Sequence, residues 1–201
     1  MKKNTNIIKI ERDPLKLFKK WFSLAKLKEI NDPNAMSLST VSSNMQPSSR
    51  LVLMKHFDQN GFVFNTNIKS KKGSEIKKNT KVCLNFYWKS IRRQIRIEGR
   101  ATLLNIYEAD LYFNNRPIGS KIGAWASSQS KSLKSRSELI NRVKKFEKKY
   151  ANIIIPRPSY WSGYIVNPNL FEFWKDMPYR LHDRIQYKKI KGVWKTTRLY
   201  P

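Results

Sequence analysis

Apolar residues recur first at helical and then at strand spacing, and the switches between the two outline the elements of the chain. Asp13-Pro14 has the form of a helix start, with an aspartate cap and a proline in the first turn. Leu17, Phe18, Trp21, Phe22 and Ala25, joined by Leu24, then form a stripe that predicts a helix to about Lys28. Asn31-Asp32-Pro33 ends it. A strand is predicted over 35–41, a polar turn over 42–49 and a second strand over 50–57. Asp58-Gln59-Asn60-Gly61 leads into a third strand over 62–66, and its Asn-Gly step favours a hairpin.

Residues 70–79 read as a short helix, followed by strands over 81–88 and 91–103. Helical spacing returns over 106–115 and is cut by Pro117, which cannot donate to a helix. Ser135 and Glu138 match a capping box that opens a helix to about Tyr150. From Trp161 to Leu199 the pattern returns to strands. Five to seven short strands with helices between them predict a mainly β fold, a small β-barrel decorated by helices. The expected division is a short basic N-terminal segment, 1–12, and one domain over 13–201.

Composition narrows the class. With 10 Phe, 9 Tyr and 6 Trp in 201 residues, the chain has material for a core and is not of a disordered type. No apolar run approaches the roughly 20 residues that span a bilayer, and Asn6-Ile7-Ile8-Lys9-Ile10 is too short for a secretory signal. Cys83 is alone, which excludes a disulfide framework and a cysteine-rich metal site and makes the cytoplasm the expected compartment.

The net charge of +27, from 41 Lys and Arg against 14 Asp and Glu, raises nucleic acid or an anionic membrane as partners. The lysines, however, are spread from Lys2 to Lys195. The densest cluster, Lys69-Ser70-Lys71-Lys72 with Lys77-Lys78, covers only a short segment. Nucleic-acid binding stands as the rival reading, and no membrane role is expected. A glycine-rich phosphate loop is absent, so neither a Rossmann nor a P-loop site is expected.

Several groups carry candidate chemistry. Cations at Arg50 and Lys55 open and close the apolar run Leu51-Val52-Leu53-Met54, and could sit at two ends of a pocket or simply at two solvated strand ends. Thr66, Ser70, Lys71 and Lys72 fall where a strand leads into a helix, whose N-terminal amides favour phosphate. Gln94 alternates with isoleucines, and its amide can both donate to and accept from a heterocycle. Tyr112, Arg116 and Ser120 are four residues apart, so a continuous helix would align them. Pro117 and Gly119 interrupt that helix, and a fresh one could start near Ser120. A phenol, a guanidinium and a hydroxyl together would clamp a phosphomonoester. Gln129-Ser130 adds amide and hydroxyl donors.

In the window 171–184, if Arg180 to Arg184 is extended, Arg180, His182 and Arg184 share a face beside Trp174, with Leu181 on the other side. Such a cationic row suits an aromatic anion, or is a solvated edge strand.

Phe171-Glu172-Phe173-Trp174 followed by Arg180-Leu181-His182-Asp183-Arg184 closely resembles the C-terminal signature of the pyridoxamine/pyridoxine 5'-phosphate oxidase family. Arg50 to Lys55, Asn65-Thr66-Asn67, Arg93-Gln94, Tyr112-Phe113, Arg116-Pro117, Ile122-Gly123-Ala124-Trp125, Gln129-Ser130 and Trp161 to Gly163 match in order, over about 13–201. The resemblance implies an FMN-binding split β-barrel and a homodimer whose two active sites are shared across the interface. It also implies an activity in vitamin B6 metabolism: oxidation of pyridoxamine or pyridoxine 5'-phosphate to pyridoxal 5'-phosphate by O2, with hydrogen peroxide as product and no metal.

By matched position, Arg50, Leu51, Val52, Leu53, Met54, Lys55, Asn65, Thr66, Lys71, Lys72, Gln94, Gln129, Ser130, Trp174 and Arg184 would line the FMN site. Lys55, Tyr112, Arg116 and Ser120 would clamp the substrate phosphate. Arg180, Leu181 and His182 would reach the pyridine ring from the second subunit, with Arg180 and His182 as catalytic candidates. Three positions depart from the family pattern: Lys71 for arginine, which loses the bidentate fork, Asn65 for tyrosine, and Lys175 for glutamine, histidine or glycine. The chain also starts close to its first helix, without the longer N-terminal cover of some relatives.

Overall fold

A strand whose two edges have different partners organises this molecule. The computed structural model describes residues 7–201, so half of the expected N-terminal segment lies outside the described residues. The described elements are, in order, α1 (Pro14–Lys28), β1 (Ala35–Val41), β2 (Pro47–Asp58), β3 (Gly61–Asn67), α2 (Lys71–Lys78), β4 (Lys81–Trp88) and β5 (Arg93–Leu103). Then follow α3 (Ile106–Asn114), α4 (Ile118–Ala126), α5 (Arg136–Lys149), β6 (Trp161–Lys175), β7 (Asp183–Ile190) and β8 (Val193–Leu199).

All strand pairings are antiparallel. They run β3-β2-β1-β4-β5-β6, and β3 pairs again with β6, closing a six-stranded barrel from which β7 and β8 extend. The 15-residue β6 makes this possible. One edge pairs with β5 from Tyr164 to Lys175; the other pairs with β3 up to Val166 and with β7 from Leu170 onward. The exchange falls at Pro168, which has no N–H to give a ladder, and opposite the register shift at Glu98/Gly99. At the Asn60-Gly61 hairpin, Gly61 adopts φ +141°, and a Cβ there would meet the Val166 carbonyl.

The barrel is solid inside. Phe62, Phe86, Phe171 and Phe173 are fully buried, and α1 lays its predicted stripe over them. The Phe18 ring centroid lies 4.8 Å from those of Phe57 and Phe62 and 5.3 Å from that of Phe86. Such packing leaves no room for a ligand inside, so a binding site must lie on the outer surface. A second apolar cluster, Phe113, Ile122, Tyr150, Ile155 and Trp161, seats α3, α4 and α5 beside the barrel. Residues 7–12 are docked as well: the Ile8 amide donates to Asp183 at 2.6 Å, and Glu11 exchanges hydrogen bonds with the Tyr187 hydroxyl.

Most expected elements occur, with instructive differences. Among the described residues there are eight strands, one more than the upper estimate. β2 begins at Pro47 because Ser42 and Gln46 close a tighter turn than expected. Arg92 turns with φ 50°, so β5 begins at Arg93 and not at Ile91. The complete capping box belongs to α3, at Asn105 and Glu108; at Ser135 only the forward bond, from the Glu138 amide, forms. The largest correction concerns 180–184, which is not extended. Pro178–Arg180 is a single 3-10 turn, Tyr179 and Arg180 are left-handed with φ 59° and 61°, and the strand begins only at Asp183. Arg180, His182 and Arg184 therefore do not share a strand face.

Candidate active site

Between β2, β3, α2 and the α3–α4 joint lies a cavity of about 570 Å³. Its cations are Lys55, Lys72 and Arg116, and none of its lining residues is a carboxylate. Each cation arrives by a local device. Lys55 is the extra residue of a bulge between Met54 and His56, and a bulge re-aims the side chain it carries. Lys72 sits in the first turn of α2, capped by Ser70, where the helix dipole disfavours a cation and favours an anion. Arg116 occupies the joint itself: Pro117 ends one helical path and caps the next.

Tyr112 on α3, Arg116 in the joint and Ser120 on α4 thus do not share the continuous helix that would align them, yet all three line the cavity. The Arg116 guanidinium lies 4.8 Å from the Trp161 ring centroid and 5.7 Å from that of Phe113, and its Nη1 is buried without a hydrogen-bond partner. Asn65 Oδ1 is a second buried atom without a partner. It sits where Gly163 lets β6 approach, since a Cβ on Gly163 would lie 2.5 Å from that oxygen. Unpaired buried polar atoms cost free energy, and a bound anion with donors and acceptors would satisfy both.

Lys72 Nζ and the Thr66 hydroxyl both donate to Gln129 Oε1, at 3.2 and 3.1 Å. Burial, followed by the nearby Arg50 charge, pulls the Lys72 pKa below its ordinary value, with Glu75 opposing. Burial likewise lowers that of Arg116, and raises that of the Tyr112 phenol, with Glu108 and Asp58 adding to the rise. Burial is the leading cause of all three shifts.

Other expected residues lie elsewhere. Arg50 turns toward the buried Glu75, at 3.2 Å, and donates to Ser48 at 2.7 Å and to the Thr40 hydroxyl. Burial pushes the Glu75 carboxyl up, but hydrogen bonds from Thr40, Ser48 and Arg50 outweigh it and hold it below the usual range. Lys71 is exposed, 4.0 Å from Glu75. Met54 belongs to the core. Ser130 is exposed in a left-handed turn. Leu51 and Leu53, by contrast, line the cavity and also stand exposed to solvent.

The remaining candidates form a second group. Register places Gln94 opposite Trp174, and Trp174 opposite Arg184, in one row across β5, β6 and β7. Arg184 is held by Glu172, Nη2 to Oε1 at 2.7 Å, and Arg96 reaches the other oxygen at 2.6 Å. The His182 ring packs on Trp174 with centroids 4.6 Å apart, its Nδ1 3.2 Å from Asp176 and 3.3 Å from the Met177 amide. Arg180 and Leu181 are exposed, and Arg180 makes no ion pair among the described residues. One chain thus presents the candidate residues in two groups.

Sequence reasoning missed Asn115, Pro117 and Trp161 as cavity residues and Glu75 as the counter-charge of Arg50. Pro117 and Trp161 stood inside matched motifs, which was the available signal. Nothing in the sequence pairs Glu75 with a residue 25 positions away.

A solid six-stranded barrel extended by two strands, with an outer cavity lined by three cations and no carboxylate, defines a split barrel. The family comparison is decisive about which kind. The model described as "Pyridoxamine 5'-phosphate oxidase" matches residues 24–150, and "Pyridoxine 5'-phosphate oxidase C-terminal dimerisation region" matches residues 161–201. The chain belongs to the FMN-dependent pyridoxamine/pyridoxine 5'-phosphate oxidase family.

Among its relatives, the pyridoxine/pyridoxamine 5'-phosphate oxidase of Allorhizobium ampelinum is 48% identical over 193 residues, covering 95% of this chain and 94% of that protein. The Brucella canis protein of the same description is 49% identical, with 94% of each covered. PhzG from Burkholderia lata 383, solved with tetrahydrophenazine-1-carboxylic acid, superposes with TM-score 0.90 at 31% identity, over 95% of this chain and 94% of its own. Among the described residues no group of three or more His, Cys, Asp or Glu could hold a metal, and no helix is long and apolar enough to cross a membrane.

Proposed function

We propose that this chain, as a homodimer, oxidises pyridoxamine and pyridoxine 5'-phosphates to pyridoxal 5'-phosphate, with FMN as cofactor and O2 as final acceptor. The observation that carries the substrate class is the cavity with Lys55, Lys72 and Arg116 and no carboxylate, in which Arg116 Nη1 lacks a partner. Three cations in a part-buried space select a multiply charged head group, which a phosphomonoester supplies.

The residues also fit FMN, because the donors needed by a phosphate and a polar chain (Lys72, Thr66 and Gln129) stand together, and Gln94, Trp174 and Arg184 offer an amide, an aromatic face and a cation in one row. When bound, FMN supplies the capacity to accept two electrons from the substrate's C4' carbon and return them to O2 as hydrogen peroxide. For pyridoxamine 5'-phosphate, water enters and ammonium leaves.

The chain's own residues bind and orient. Lys55, Tyr112, Arg116 and Ser120 hold the substrate phosphate, and the remainder of the substrate is thereby aimed at one carbon. Arg50 acts through Glu75, fixing the first turns of α2 and so Lys72, while Ser130 and Lys71 complete the cofactor phosphate from the rim. Arg180, Leu181 and His182 of a second subunit close over the pyridine ring. Arg180 serves as a cationic anchor, and His182, backed by Asp176, positions a proton. This reading treats 13–201 as a single catalytic domain that works in the cytoplasm.

An absorbance spectrum of the purified protein tests the cofactor, and oxygen uptake with each vitamer tests the reaction. We expect a yellow protein, one peroxide per pyridoxal 5'-phosphate formed, and little turnover of vitamers lacking the phosphate. A colourless protein that does not take up added FMN would overturn the reading. Equal rates without the phosphate would remove the clamp from it, and salt-sensitive oligonucleotide binding in place of turnover would favour the nucleic-acid alternative.

A further inference from the structure

The other side of α2 lines a larger concavity, of about 1090 Å³. Its floor is Ile68, Ile76, Ala101, Leu103 and Tyr164, of which Ile76, Ala101 and Tyr164 are buried, whereas Leu103 is half exposed. Lys69, Lys77, Lys78 and Lys131 stand around it, with the hydroxyls of Ser74, Thr80 and Thr102 between floor and rim. No carboxylate lines it, and none of the four lysines is in an ion pair among the described residues. The densest lysine cluster of the sequence is thus divided by α2. Lys72 serves the anion cavity, while Lys69, Lys77 and Lys78 face this groove, which the vitamer chemistry does not use.

An apolar floor inside a ring of uncompensated cations has a defined complement. We propose that the groove binds a free amphipathic anion, an acyl chain that ends in a carboxylate. Four of the five floor residues are aliphatic, which favours an acyl chain over a flat ring system. Lysines are mobile point charges, suited to a single carboxylate that needs no bidentate fork. The size lies at the upper end of small-molecule sites. A bilayer is flat, whereas this floor is recessed behind a helix and a strand end.

The test is calorimetric titration of the full-length protein with decanoate, below its micelle concentration, in wild type and two variants. Thr102→Trp fills the groove from an exposed strand position, and the double variant Lys77→Gln/Lys78→Gln removes charge from the end of α2 without touching the floor. We expect one saturable site per chain. Affinity should fall about tenfold in the lysine variant and for uncharged decanol, as a charge-assisted contact is lost, and binding should disappear in Thr102→Trp. Either variant alone suffices if the other does not fold. Lack of saturable decanoate binding, or binding indifferent to both variants, overturns the proposal. Displacement by saturating inorganic phosphate would put the decanoate in the anion cavity and also overturn it. Binding only to phosphatidylglycerol vesicles, and not to decanoate, would make the feature a membrane-facing surface instead.

Discussion

The two groups of candidate residues handle charge in opposite ways. Around the cavity, no carboxylate lines the space shared by Lys55, Lys72 and Arg116, and burial lowers the pKa of Lys72 and Arg116, with Glu75 opposing at Lys72. In the C-terminal corner most charges are answered: Arg184 and Arg96 by Glu172, Arg92 by Asp176, which also lies 3.2 Å from His182 Nδ1, and Arg198 by Asp183. A site with unanswered charge is built to receive a ligand's charge. A corner already neutralised is built to hold side chains in place before the ligand arrives. The comparison separates binding energy from positioning, and each substitution below attacks one side of it.

The largest effect should come from the corner. Glu172→Gln leaves Arg96 and Arg184 without a shared counter-ion. Breaking a buried pair costs about 3–5 kcal/mol, and the partial exposure of both arginines puts the expected loss near ~3 kcal/mol, to be read by urea unfolding. The pH dependence follows the same group. Burial raises the Glu172 carboxyl, but hydrogen bonds from Arg96 and Arg184 prevail and hold it below 4.5. Its stabilisation is therefore complete above 4.5 and lost as pH falls through the lowered folded value. Glu172→Gln should flatten that acid limb; an unchanged limb would show that the pair contributes nothing.

Next comes the cavity. Arg116→Gln removes the guanidinium over Trp161, and its Nη1, which has no protein partner to lose. Stability should change little, while kcat/KM for the phosphorylated substrate drops about 10- to 100-fold, mainly through KM. A variant that unfolds but, when folded, binds substrate normally would reverse the roles assigned to the two regions.

How far this contrast was readable beforehand depends on the range of each interaction. The stripe from Leu17 to Ala25, the Asn60-Gly61 turn and the strand periods are local, and the elements they predict are found. Barrel closure through β3 and β6 rests on residues about a hundred positions apart, and no local pattern encodes it. Tyr112, Arg116 and Ser120 were read as a group for a helical reason that Pro117 breaks; they converge because the joint folds back over Trp161. The face shared by Arg180, His182 and Arg184 failed because two consecutive left-handed residues leave no mark in a strand-like pattern. The sorting of paired from unpaired cations was invisible, since Arg50–Glu75 and Arg184–Glu172 are set by packing.

A smaller effect should appear in the pH dependence of the cavity. Lys72 is charged only below its lowered pKa, so the affinity for inorganic phosphate should fall, up to about tenfold, at a pH below lysine's ordinary 10.5. In the unliganded protein the sign is opposite: holding this lysine charged costs stability in full below the lowered pKa, and that cost fades as pH rises from there to 10.5. Lys72→Arg, whose charge does not titrate in this range, should abolish the affinity change. A pH profile identical in both proteins would remove Lys72 from the anion contacts.

The smallest energy concerns Arg180, and it separates positioning from stability most cleanly. Tyr179 and Arg180 both sit at positive φ, which costs a non-glycine residue about 1 kcal/mol and is retained where surrounding structure requires it. Nothing in the folded chain repays that cost at Arg180, which is exposed and unpaired among the described residues. Arg180→Gly should therefore leave the protein as stable or up to ~1 kcal/mol more stable, because glycine accepts the left-handed backbone without strain. Turnover should fall nonetheless, with Arg180→Lys restoring part of it through charge alone. Higher stability joined to lower kcat would show that the turn is strained in order to present a cation to the reacting ring. Unchanged kcat and KM in Arg180→Gly would leave the strain without a catalytic purpose and confine the working site to the cavity and the Trp174 row.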